Sequence, residues 1–303
     1  MKSRLFIAVL LVVSVCAACS GKGNVTEEKG ASPGTKEKRI VSVSIVHTSN
    51  LLALGIKPYG AVTQAGKDFL PHVADLLEGT VNLGSSQDPN LEAVVEASPD
   101  LIIAQDELTK DKSQLEKIAP VYSLPAFGAL SWREQLVQLG EATGRQKEAD
   151  DFLSKYDSKL LEVKDKIKQV VGDDTVMVIR VMPKEIRLYG MDRSYGSLLY
   201  QDLGLRPVPG IEKLPEGPQA ISREVLPEYD ADRMLLEVSK TSDGQQLYEE
   251  LQSSAIWKNL KAVKNGNVMM IDQQPWLDYS AMGMMKSLEL AESLFTTKNN
   301  SRS

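Results

Sequence analysis

Arg180 ends the apolar run Val176-Met177-Val178-Ile179. A guanidinium placed there must either find a carboxylate inside the fold or reach an opening. At an opening, its fork of donors suits anionic or carbonyl oxygens. Arg187, Tyr189 and Tyr195 follow on the next hairpin and helix start, and Trp276 lies in the loop Asp272-Gln273-Gln274-Pro275-Trp276 after the last apolar strand. Tyr189 and Trp276 each have two readings, as faces offered to a ligand or as packed residues. His47, just past the first strand, faces the cleft or caps and packs a helix. The chemistry such a set performs is recognition, through arginine forks, tyrosine hydroxyls and aromatic faces. Catalysis would need more. No Gly-x-Ser-x-Gly elbow occurs, and the position for a phosphate-cradling loop after the first strand reads His47-Thr48-Ser49-Asn50. With histidine only at 47 and 72 and cysteine only at 16 and 19, a Cys- or His-ligated metal site in the folded part is not expected.

The elements that must hold these residues are those of an α/β protein. The chain has 303 residues, 42% of them hydrophobic, enough for one large domain or two medium ones. Net charge is −6, and removing residues 1–18 with Lys2 and Arg4 takes it to −8, so nucleic acid is not expected as a partner. From Arg39 onward, short apolar strands alternate with amphipathic helices. A strand is predicted over 40–46 and a helix from Ser49 to the stop at Gly55. Asn90 caps a short helix that Pro99 ends, and the consecutive apolar residues 101–104 read as a strand buried on both faces. Residues 113–118 form another short helix leading to Val121-Tyr122, and 132–143 a longer one ending at Gly144. Ala149, Phe152, Leu153, Tyr156, Leu160, Val163, Ile167 and Val170 then recur at spacings of three and four until Gly172. Strands over 175–181, 186–189, 234–238 and 268–271 follow, with helices around Ser222, Gln246 and Ser280. Met282, Met284 and Met285 share helical spacing and read as core. The layout is two lobes, 38–143 and 173–298, joined by one long helix over 144–172, with a cleft between them where ligands are favoured.

The N-terminus carries its own message. Lys2 and Arg4 precede an apolar run over 5–15, too short to span a membrane and of the length of a signal-peptide core. Cys16-Ala17-Ala18-Cys19-Ser20-Gly21 resembles the bacterial lipobox, with Cys16 where an aliphatic residue is usual. It implies a signal peptide over 1–18 and lipidation of Cys19, the alternative being an ordinary secretory peptide cleaved near Ala18. Residues 19–37 lack apolar periodicity and read as a flexible tether.

Across residues 38–295 the chain resembles the iron-siderophore and cobalamin solute-binding proteins that serve ABC importers. The resemblance is carried by Arg39-Ile40-Val41-Ser42, Leu54-Gly55-Ile56-Lys57-Pro58-Tyr59-Gly60, Asn90-Leu91-Glu92-Ala93-Val94 and Ser98-Pro99-Asp100-Leu101-Ile102-Ile103. It continues in Ile118-Ala119-Pro120, Gly144-Arg145, Ile221-Ser222-Arg223-Glu224-Val225-Leu226 and Ala262-Val263-Lys264-Asn265-Gly266-Asn267-Val268. Each piece alone is common in α/β proteins; their order and spacing are not.

The resemblance implies the class III periplasmic-binding-protein fold, two Rossmann-like lobes joined by one long interdomain helix. It implies a monomer held by lipidated Cys19 at the outer face of the cytoplasmic membrane, without a covalent cofactor or enzymatic activity. The ligand it implies is a ferric siderophore, already coordinated by its own oxygens, with Arg180, Arg187, Tyr189, Tyr195, Trp276 and His47 around it. The hairpin Val178-Ile179-Arg180 … Ile186-Arg187-Leu188-Tyr189 resembles the hydroxamate subgroup; haem and cobalamin are the alternatives. Glu92 and Glu224 fall where one exposed carboxylate per lobe docks to arginines of the permease dimer. Read without the resemblance, Glu92 is an acid in the first turn of a helix.

Overall fold

A computed structural model describes residues 38–107 and 112–297. The signal peptide over 1–18, the Cys19 anchor and the 19–37 tether lie outside the described residues. Strands β1 (Ile40–Ser42), β2 (Gly60–Thr63), β3 (Val81–Ser85), β4 (Asp88–Pro89), β5 (Leu101–Gln105) and β6 (Val121–Leu124) form one sheet in the order β4-β3-β2-β1-β5-β6. All its pairings are parallel except the β3–β4 hairpin. The apolar run of β5 has its reason here: Ile102, Ile103 and Ala104 are each 0% exposed, covered on both faces as central parallel strands are.

The second sheet contains β7 (Thr175–Val181), β8 (Ile186–Leu188), β9 (Arg206–Pro207), β10 (Gln219–Ile221), β11 (Arg233–Val238) and β12 (Val268–Met270). Its order is β10-β8-β7-β11-β12, with β9 paired to the start of β7. Strands β7, β11 and β12 run parallel, and β8 folds back antiparallel on β7.

The helices are α1 (Ile45–Ala53), α2 (Leu91–Glu96), α3 (Lys112–Leu115), α4 (Trp132–Thr143), α5 (Gln146–Val171), α6 (Arg193–Gly196), α7 (Ser242–Ser253), α8 (Ala255–Asn259), α9 (Lys261–Lys264) and α10 (Ala281–Thr296). A capping box of Ser131 and Glu134 starts α4, and Gly144 ends it at φ +72°, a conformation that favours glycine. Helix α5 follows at once, 26 residues and about 39 Å long.

One expectation is corrected. The strand predicted over 40–46 stops at Ser42, and α1 begins at Ile45 instead of Ser49. Ser44 causes the switch: its side chain accepts the His47 amide proton at 3.1 Å, an N-cap that outweighs the β-propensity of Val43, Ile45 and Val46.

Helix α5 buries Ala149, Tyr156, Val163, Ile167 and Val171 in a core that also takes Leu51, Trp132 and Leu136 from the first half and Val178, Leu235 and Leu236 from the second. Helix α10 follows the second sheet in sequence yet packs on α5, α1 and α4. Met284 and Met285 are buried in this core, and Met282 packs on the small cluster of Leu70, Val73 and Leu77. The two α/β lobes are therefore joined by the long α5 and by shared apolar packing. Among the described residues no helix is long and apolar enough to cross a membrane.

Candidate functional site

The carboxyl ends of the parallel strands face one groove between the lobes, where open α/β sheets bind ligands. Gln64 follows β2, Gln105 ends β5 and Phe127 follows β6; opposite them Arg180 and Met182 close β7, Glu237 lies in β11, and Gln273 and Gln274 follow β12. A cavity of about 290 Å³ takes in Gln105, Phe127, Tyr189, Arg193 and Asp278. A wider one of about 940 Å³ takes in Asp68, His72, Arg180, Glu237 and Lys240. The two share Gln64, Leu70, Gln273 and Gln274, which makes them one continuous groove.

Arg180 lines the groove and is also ion-paired. Its partner in strand register is Glu237, and Nε of Arg180 donates to the Glu237 carboxylate. A second guanidinium nitrogen donates to the Tyr189 hydroxyl at 3.1 Å. Burial works against the charge of Arg180, yet the Glu237 and Tyr189 oxygens outweigh it and hold its pKa above the ordinary value. Burial pushes the Tyr189 phenol up, against the opposing pull of the Arg180 guanidinium. Tyr189 meets Tyr195 edge-on at 4.7 Å between centroids, and Tyr195 stacks on Trp276 at 6.1 Å.

This stack separates the expected contacts. Tyr189 lines the groove, while Tyr195 is 0% and Trp276 3% exposed, packed behind it rather than offered to a ligand. Arg187 is the cross-strand partner of Arg180, but its guanidinium pairs with Glu185 and it is absent from the groove wall. His47 does not face the groove. It is 0% exposed, its Nε2 donates to the Leu124 carbonyl at 3.1 Å, and its Nδ1 accepts from Asn50 at 3.4 Å. Burial lowers its pKa below the ordinary value of 6.5, which keeps the ring neutral.

Several wall residues carry no mark in the sequence. Phe127 projects from the loop after β6, whose amides at Ala126 and Phe127 donate to Glu107 at 3.0 and 3.1 Å. Burial opposes the charge on Glu107, but these amides win and hold its carboxyl below the usual range. The Phe127 ring lies 6.4 Å from that of Tyr279 and 4.8 Å from the Arg193 guanidinium, both from the other lobe. Arg193 adopts φ +53°, a left-handed conformation uncommon away from glycine and typical of over-determined functional loops. Gln105 could have been found by the signal that found Arg180, a polar residue ending an apolar strand. Arg193, Gln274 and the His72–Asp278 contact, 2.8 Å across the groove, arise from tertiary approach alone.

The wall holds unspent hydrogen-bonding capacity. Among the described residues, eight buried side-chain polar atoms lack a partner, and five belong to groove residues: His72, Gln105, Arg193, Gln274 and Asp278. A buried donor or acceptor without a partner costs about 1–3 kcal/mol. Clustered at one groove, such atoms mark a surface built to engage a polar ligand. No group of three or more His, Cys, Asp or Glu placed to hold a metal ion occurs among the described residues.

Glu92 and Glu224 are both exposed, one on each lobe. Glu92 occupies the first turn of α2, capped by Asn90. Glu224 lies in the first turn of a 3₁₀ helix over Arg223–Tyr229, its carboxyl held below the usual range by a backbone amide, Ser222 and Arg223.

Residues 40–275 match a family model described as periplasmic binding protein. The chain is 32% identical to the iron(3+)-hydroxamate-binding protein FhuD of Bacillus subtilis, over 87% of this chain and 88% of that one. A solved structure of an FhuD fold-family protein from Bacillus subtilis, a periplasmic binding protein component of a Fep/Fec-like ferrichrome ABC transporter, superposes with a TM-score of 0.77. It shares 30% identity and covers 90% of this chain and 100% of that one. Staphylococcus aureus SirA complexed with staphyloferrin B superposes with a TM-score of 0.72 at 28% identity, over 83% and 90% of the two chains.

Proposed function

This chain belongs to the periplasmic binding protein family, and from that premise we propose that it captures a ferric siderophore in the interlobe groove and delivers it to an ABC permease. The observation that carries the reading is the groove itself: strand-end amides, Tyr189, Phe127 and two arginines, with unspent donors and acceptors and no metal-ligand cluster among the described residues. A siderophore presents iron already enclosed by its own oxygens. The protein has only to grip the outside of the chelate, and this wall has the groups for that.

Hydroxamates are the favoured class, supported by the hydroxamate- and ferrichrome-related relatives and by the modest density of cations in the groove. Arg180, Tyr189, Arg193 and Phe127 are the contacts, with Tyr195 and Trp276 as the packing behind them. Glu92 and Glu224 dock the two lobes on the permease dimer, and Cys19 carries the lipid that holds the protein outside the cytoplasmic membrane. The protein performs no chemistry on its cargo.

The test is a titration of the purified protein with ferric hydroxamate, catecholate and citrate chelates, read by tryptophan fluorescence. Trp276, stacked on Tyr195 directly behind Tyr189, is the built-in reporter. Saturable quenching with a Kd below about 1 μM is expected for a ferric hydroxamate, and a loss of about tenfold or more in Arg193→Ala. If every ferric chelate leaves the fluorescence unchanged and a dialysis assay finds no bound iron, siderophore capture is wrong.

A further inference from the structure

We infer that the groove selects ferric chelates by charge, taking neutral and cationic ones over anionic ones, with Asp68 and Asp278 as the carboxylates that impose the preference. The inference rests on siderophore capture and adds the ligand's charge class. Among the described residues, three lysine or arginine side chains line the groove, and each already has an acid beside it in the wall. Arg180 pairs with Glu237, Lys240 with Asp272 at 2.8 Å, and Arg193 with Asp192 at 3.6 Å.

Two acids remain. Asp68 is exposed at the mouth of the wider cavity and has no lysine or arginine within ion-pair distance among the described residues. Asp278 is 3% exposed; Oδ2 accepts from His72 Nε2 at 2.8 Å, and Oδ1 has no partner. Among the described residues, five carboxylates, Asp68, Asp192, Glu237, Asp272 and Asp278, share the groove wall with three lysine or arginine side chains.

The chemistry of the cargo turns this balance into selection. Three hydroxamates, each with a single negative charge, neutralise one ferric ion. Three catecholates, each doubly charged, leave a trianion. A trianion entering this groove would meet, among the described residues, no cation without a neighbouring carboxylate, and would be pressed against Asp68 and Asp278 in a medium poorer in water than bulk. A trihydroxamate with a free ammonium would instead complement those carboxylates. Specificity follows as much from the repulsion as from the attraction.

Equilibrium titrations of the whole protein near neutral pH test this with three probes: a linear ferric trihydroxamate ending in a free ammonium, the same chelate N-acetylated, and a ferric triscatecholate. The ammonium form should bind about tenfold more tightly than the acetylated one, and about 0.5 M salt should shrink the gap. Asp68→Asn and Asp278→Asn should each narrow it further. Asp68, at the exposed rim, is the variant that decides if Asp278→Asn is poorly folded. Equal affinity for the ammonium and acetylated forms overturns the inference, as does a triscatecholate bound as tightly as either. Both of those results leave siderophore capture standing, whereas no binding of any probe, with ferric citrate chelates failing as well, removes capture and the inference together.

Discussion

Arg180 is held from two sides, by Glu237 on the neighbouring strand and by the Tyr189 hydroxyl, so its charge serves both the fold and the groove. The two roles separate by mutation. Glu237→Leu leaves a buried guanidinium without its counter-charge and should cost about 3–5 kcal/mol in urea unfolding. The double change Arg180→Met with Glu237→Leu replaces the pair by apolar groups of similar size and should recover most of that loss. It should still bind ferric hydroxamate at least about tenfold more weakly, because the donor facing the groove is gone. A double variant with unchanged affinity would show that Arg180 is structural only. At this scale the sequence was legible where a charge interrupts an apolar run, as at Arg180. It was not legible at His47 or Trp276, because residue type and strand position do not say which way a side chain turns past the strand end. Arg193 and Gln274 were hidden for a related reason: their exposure to the groove is created by partners far away in sequence.

The long helix α5 makes the case at the scale of elements. Its heptad-like spacing predicted a helix over 144–172 with Val170 on the buried face; the helix runs Gln146–Val171, and at its end Val171 is buried while Val170 is 45% exposed. What spacing could not reveal is how its middle is fastened. The Tyr156 hydroxyl donates to Asp202 at 2.6 Å, Trp132 from α4 meets the ring at 4.7 Å, and Arg133 lies over both rings while donating to Asp202 at 3.2 Å. Thus α4, α5 and the second lobe meet at one residue. Tyr156→Phe keeps the ring packing but removes a donor from a mostly buried carboxylate. Thermal or chemical denaturation should register a loss of about 1–2 kcal/mol. No loss would mean that Asp202 is satisfied by Arg133 alone. Short elements were the least legible: β4, β9 and β10 have two or three residues each, and their pairing depends on partners that the local pattern does not contain. The start of α1 was misplaced because β-branched residues hid a serine cap.

At the scale of the molecule, the lobes are tied at a point where a histidine is kept neutral. His47 donates to Leu124 and accepts from Asn50, and Asn50 in turn accepts the Ala281 amide at 2.8 Å, the first residue of α10. The chain of contacts runs from the sheet of the first lobe to the helix that returns from the second. It requires an unprotonated Nδ1, since a protonated one would face the Asn50 amide with two donors opposed. Burial lowers the folded-state pKa of His47 below 6.5. Below that pH the unfolded chain takes up a proton that the native state refuses, so stability falls with pH, by at most about 1.4 kcal/mol per pH unit from this one group. Well above pH 6.5 both states are unprotonated and the contribution of His47 is flat. His47→Gln retains a donor for Leu124 but cannot titrate. Melting temperatures measured between pH 7.5 and about 5 should therefore decline less steeply in this variant than in the parent. Parallel declines would place the acid sensitivity elsewhere, and the interlobe tie would then be independent of the charge on His47.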